Sequence, residues 1–181
     1  MRLCRRVCLL LGALPVTAAL LSACSSTPAP LGNGGSPSAQ CMFAVRGKTV
    51  TVGLFELTNI GKSPAVVQSV TLPAMRGLRM TKSWLVPVYR DPKNGNHLNV
   101  GAGFPYPPAW SSSVRRVWAQ RRPAAGGTIR PGQDLNLVFG LTRTTAMTGK
   151  SAGPVIVYST GGTKFTLKEL TTLTVAGSCT T

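Results

Sequence analysis

Residues 134–142, DLNLVFGLT, set Leu135, Leu137, Phe139 and Leu141 on one side of a strand and Asn136, Val138, Gly140 and Thr142 on the other. That is the two-residue period of β structure. The same period runs through 155–170, VIVYSTGGTKFTLKEL, where Gly161-Gly162 between two β-rich runs predicts a hairpin turn, because both glycines accept positive φ. In the second arm Phe165 and Leu167 alternate with Lys164, Thr166 and Lys168, so one face is expected to be buried and the other wet. Further strands are expected at 43–46, 49–58, 64–72, 78–90, 114–119 and 171–176. Apart from 7–23, no segment carries a sustained helical stripe. Short strands punctuated by glycine and proline predict an all-β chain folded as an antiparallel sandwich.

The front of the chain departs from this pattern. MRLCRR carries three arginines and no acid, and VCLLLGALPVTAALLSA (7–23) is apolar or small throughout. This is the order of a secretory signal peptide. The apolar run falls short of the roughly 20 residues of a membrane-spanning helix, is broken by Gly12 and Pro15, and ends in small residues. Leu21-Ser22-Ala23-Cys24 resembles the lipobox of bacterial lipoproteins. The resemblance implies cleavage before Cys24 and lipidation of its thiol. The chain would then be anchored to the cell membrane, facing outside the cytoplasm, without spanning the bilayer. Residues 25–40, SSTPAPLGNGGSPSAQ, are uncharged and rich in Ser, Pro, Gly and Ala, which predicts a flexible tether reaching on the order of 20 Å. The expected organisation is a leader at 1–23, a lipidated tether at 24–40 and one domain at 41–181.

Of five cysteines, Cys4 and Cys8 fall in the leader and Cys24 is the lipid site, which leaves Cys41 and Cys179. In an oxidising compartment these two are expected to pair. The bridge would close a loop of 139 residues, counting both cysteines, and contribute roughly 5 kcal/mol in the chain-entropy picture. The alternatives are two free thiols or a metal pair, the latter without a neighbouring histidine in sequence.

Two turns sharpen the fold. Leu57-Thr58-Asn59-Ile60-Gly61-Lys62-Ser63-Pro64 joins two strands, with Asn59 and Gly61 suited to left-handed backbone, and Ile129-Arg130-Pro131-Gly132-Gln133 leads into the Leu135 strand. The pair, L-x-N-x-G-x-x-P and I-x-P-G-Q, resembles the immunoglobulin-like domains of unknown function in secreted bacterial lipoproteins. The resemblance spans about 41–179 and implies a sandwich whose first and last strands lie close together. Its motifs mark turns rather than chemistry.

Charge changes the picture of partners. The chain carries 20 basic and four acidic side chains, a net charge of +16, and without residues 1–23 it carries 17 against four, or +13. In the cytosol such an excess would point to nucleic acid. Behind a lipobox the available anions are lipid headgroups and envelope polymers, and no nucleic-acid partner is expected.

Candidate chemistry is sparse. His97, the only histidine, follows Asp91-Pro92-Lys93-Asn94-Gly95-Asn96, a surface-turn composition, and no G-x-S-x-G elbow supplies a nucleophile. Glu56, Asp91, Asp134 and Glu169 are the only acids from which a carboxylate pair could come, and each is expected to balance positive charge locally. Met42, Met75, Met80 and Met147 form no copper-type cluster, and Met75 and Met80 are interleaved with Arg76 and Arg79. No metal or cofactor is expected. The unusual stretch is 101–123, GAGFPYPPAWSSSVRRVWAQRRP. In one reading Phe104, Tyr106, Trp110 and Trp118 offer stacking faces while Arg115, Arg116, Arg121 and Arg122 grip anions. In the other, Trp110, Val114, Val117 and Trp118 are core residues of a crossover and the arginines are merely solvated. The functional expectation is a non-enzymatic binding module for anionic envelope components. The alternatives are an accessory subunit docking on an envelope transporter or sensor, and a small hydrolase using His97.

Overall fold

The computed structural model describes residues 29–33, 37–90, 95 and 97–179. The leader, Cys24 and Asp91 lie outside the described residues. In chain order the first strands are β1 (Leu31–Asn33), β2 (Ala39–Phe43), β3 (Thr49–Asn59), β4 (Ala65–Thr71), β5 (Leu78–Met80), β6 (Trp84–Pro87), β7 (Tyr89–Arg90), β8 (His97–Leu98) and β9 (Gly101–Pro105). Helix α1 (Ser112–Ala119) follows, then β10 (Arg122–Pro123), β11 (Thr128–Ile129), β12 (Asp134–Arg143), β13 (Gly149–Ser151), β14 (Val155–Thr160), β15 (Thr163–Lys168) and β16 (Thr172–Ala176).

One sheet runs β1-β3-β12-β6-β10, with β5 against β12 and β9 against β3, and a second runs β11-β4-β14-β15. Taken in sequence order, β1, β3, β4, β6, β12, β14 and β15 occupy the seven strand positions of an immunoglobulin-like sandwich. First, second, fifth and fourth form one sheet, and third, sixth and seventh the other. Between the sheets Leu135, Leu137, Phe139 and Leu141 meet Ala65, Val67, Ile156 and Tyr158 in one apolar core, each large side chain contributing roughly 1.5–3 kcal/mol by its burial. The predicted hairpin is present. Thr160 pairs with Thr163 around Gly161 and Gly162, both at positive φ, and Phe165 and Leu167 pack against the core.

Cys41 and Cys179 form a disulfide with Cα atoms 5.9 Å apart. Its neighbours β2 and β16 run parallel, so the bridge sits beside a pairing of near-terminal strands.

Several expectations shift. Residues 114–119 are helix, not strand. Val114, Val117 and Trp118 have the i, i+3, i+4 spacing of a helical face, and the Ser111 hydroxyl caps it by accepting from the Val114 N–H at 3.1 Å. Part of the segment expected as a tether is docked: β1 pairs with β3, and Leu31, the one large apolar residue of 25–40, is buried in the core. The Leu31 N–H donates to the buried Tyr158 hydroxyl at 3.2 Å. Burial raises the pKa of that phenol, and the hydrogen bond opposes the rise. The strand expected at 43–46 ends at Phe43, and that expected at 78–90 is three short pieces, β5 to β7. Neither Asn59 nor Gly61 adopts positive φ. Asn59 instead ties both turn motifs together, donating through its amide to Ser63 O (3.0 Å) and Ile129 O (2.8 Å) and accepting from the Gly61 N–H (2.9 Å). Gly61 is needed for space, since a Cβ there would stand 2.6 Å from Pro30 Cβ.

Candidate functional site

The fold places its unusual chemistry on the outer face of the first sheet. The alternation of β12 that sends Leu137 inward sends Asn136 and Val138 outward, yet every residue from Leu135 to Arg143 is buried. The cover comes from the chain between β6 and β12. Val100, Val114 and Val117 close over Val86 and Val138, with Trp84, Tyr89 and Trp118 around them, as a second small core. Gly53 admits this cover: a Cβ there would lie 2.8 Å from Val100 Cβ. At the same place β3 carries an extra residue, four of its positions (Val52 to Phe55) facing three of β12 (Leu137 to Phe139).

An aromatic and basic rim surrounds this core. Trp118 meets Trp84 and Tyr106 edge-on, at 6.1 and 5.8 Å between centroids. The Trp84 indole N–H donates to the Tyr106 hydroxyl at 2.9 Å. The Arg121 guanidinium stands 5.2 Å from the Trp84 ring and 4.8 Å from the Trp118 ring, held by cation–π attraction to two faces. It also donates to Trp118 O at 3.1 Å, and Arg115 donates to Ala109 O at 3.0 Å. Arg122 is half-buried, donating to Thr128 O, while Arg116 lies exposed on α1. Phe104 and Trp110 stack at 4.8 Å and are 38% and 45% exposed.

The two readings of 101–123 therefore divide the stretch. Val114 and Val117 are core and Trp118 is half-buried, as the crossover reading requires; Phe104 and Trp110 stay exposed, as the binding reading requires. Tyr106, Trp118 and Arg121 come together, Arg115 and Arg116 share the helix, and Trp110 stacks on Phe104 instead of joining the Arg121 cluster. Trp84, the second ring under Arg121, was not anticipated; it lies 37 positions from Arg121 in sequence and only strand pairing brings it close.

A polar group occupies the other end of the covered face. His97 is in strand β8 rather than a turn, and its Nδ1 lies 3.1 Å from Glu56 Oε1. The Arg90 guanidinium contacts Asp134 Oδ2 at 2.5 Å; its side chain is 60% exposed and that of Asp134 14%. One ligand-type atom each of Glu56, His97 and Asp134 fall within 4.8 Å of one another. Asn136 stands opposite Glu56 in register and two residues from Asp134 on the same face. It is fully buried, and neither its Oδ1 nor its Nδ2 has a hydrogen-bond partner among the described residues. Each such atom costs about 1–3 kcal/mol. The buried Oδ1 of nearby-in-sequence Asn99 likewise has none among the described residues. Asp134 thus balances charge locally against Arg90, Glu56 lies beside His97, and Glu169 is buried. Met42 is core, Met80 packs against it, and Met75 and Met147 are exposed.

Neither a family model nor a curated protein matches the sequence. Among solved structures, the chain is similar in backbone course to the PapD-like domain 7 of human CEP192, with 11% identity, TM-score 0.44, and 91% of this chain and 98% of that one covered. It is also similar to part of the Vibrio cholerae VesB protease, with 9% identity and TM-score 0.40 over 81% of this chain. The chain spans about a third of that protease, 32% of its length.

Proposed function

We propose that the protein is a lipid-anchored, extracytoplasmic and non-enzymatic binding module whose α1 region engages anionic components of the cell envelope. The observation that carries this reading is Arg121 poised over Trp84 and Trp118, beside the exposed Arg115 and Arg116 of the helix. A guanidinium fixed on ring faces loses little freedom when it meets a phosphate or carboxylate. The leash supports the same reading. Leu31 lies seven positions after Cys24, a span of at most roughly 25 Å even when fully extended, so headgroups and wall polymer lie within reach of the domain.

The test is cosedimentation of the protein with phosphatidylglycerol vesicles and with a soluble anionic polymer at rising salt. Binding should fall steeply with salt and should be lost in the Arg115/Arg116/Arg121/Arg122→Ala variant. Binding indifferent to salt or to these arginines overturns the reading. Salt-resistant capture of a stoichiometric envelope protein, abolished by Trp110→Ala, would instead favour docking on a transporter or sensor through the exposed Phe104–Trp110 pair.

A further inference from the structure

The acidic residues of this chain are few, and half of them meet at its only histidine. With four carboxylates in a sequence of net charge +16, chance alone gives little reason for Glu56 and Asp134 to converge on His97. Three different segments bring them there, β3, β12 and β8, with ligand-type atoms inside 4.8 Å. Local charge balance explains Arg90 on Asp134. It does not explain the fully buried Asn136, opposite Glu56 in register and two residues from Asp134, whose amide has no partner among the described residues. A buried polar atom left so calls for an explanation, and a bound water or ion is one that fits a cluster of ligand-type groups.

We propose that Glu56, His97 and Asp134 form a binding site for a divalent transition-metal ion, with zinc as its natural probe. One imidazole nitrogen with two carboxylate oxygens suits such an ion better than calcium or magnesium, which take oxygen ligands. Three protein ligands leave coordination positions to water. The Asn136 amide, on the same face of β12 as Asp134, would bond such a water, the outer-sphere role that orients metal ligands. Arg90 is the competitor. Its exposed ion pair with Asp134 is weakly held, and its side chain can leave for solvent when the cation arrives.

The experiment uses the tag-free full chain in detergent and zinc chloride alone. His97 is the only histidine, so one set of imidazole NMR signals reports the site without any substitution. Those signals should shift and saturate at one zinc per chain. Affinity should fall about tenfold or more in His97→Gln and Asp134→Asn and about tenfold in Asn136→Leu, in line with first and outer ligand losses, and rise several-fold in Arg90→Gln. Folding of each variant is checked by its amide spectrum. Imidazole signals that stay put under excess zinc, or zinc binding undiminished in folded His97→Gln, overturn the proposal. Arg90→Gln weakening zinc binding would also overturn it, because the cluster would then depend on the ion pair.

Discussion

The two cores of this domain, one on each side of the first sheet, obey different rules. The core between the sheets is aliphatic and aromatic, fed by the inward residues of β3, β12, β4 and β14, and it includes stacked pairs such as Phe55–Phe139. The core on the outer face is five valines, two of them on the short helix α1, with aromatic rings along its rim and a polar end at Asn136. Two packed sheets need the first to exist at all. The second is an addition, made by the chain between β6 and β12, and the arginine rim and the Glu56–His97–Asp134 group both belong to it. In this molecule the dry core holds the frame together, and the added cover carries the rim of aromatic and basic side chains.

The widest separation between the two should come from deletion in the frame. Phe139→Ala is expected to lose about 3–5 kcal/mol of unfolding free energy, measured by denaturant titration, with every probe falling together. A smaller loss, confined to the helix region, would mean that the two cores are not ranked as described. The next effect has the opposite sign. Asn136→Leu replaces an amide without partners among the described residues by a side chain of similar volume, and metal-free protein should gain about 1–3 kcal/mol. A loss of stability would show that the amide is satisfied. Smallest is Ser111→Ala, expected to cost about 1 kcal/mol through the lost cap. Hydrogen exchange should quicken in 112–120 while the amides of β3 and β14 keep their rates, because local opening of the cover leaves the frame closed. Uniform quickening would merge the two cores into one unit.

The frame was legible in sequence for a physical reason. Period-two alternation at 134–142 and 155–168, and Gly161-Gly162 between paired strands, are local signals, and each landed where expected. The cover was not legible. Val114, Val117 and Trp118 fit a helical face as well as a short strand, and eight residues are too few for a sustained stripe. Asn136 and Val138 looked like the open side of a half-buried strand because nothing in their own neighbourhood announces a lid contributed from residues 97–119. Glu56 opposite Asn136 follows only once the register of β3 on β12 is known, and the extra residue near Gly53 sets that register. Leu31, by contrast, was an available clue: one large apolar side chain in an otherwise small and polar segment is a candidate for docking.

The Cys41–Cys179 bridge also has a mechanical meaning. Tension applied between the chain ahead of Cys41 and the chain beyond Cys179 would travel through two sulfur atoms and bypass the 138 positions that separate them. Among the described residues, β1, which holds to β3 by three residue pairs, and Ala39 and Gln40 of β2, which pair with β16, lie upstream of the bridge and stand in the load path. A tug on the amino-terminal end would peel that short ribbon and pull Leu31 from its seat, freeing several residues while the domain enclosed by the bridge stays unstressed.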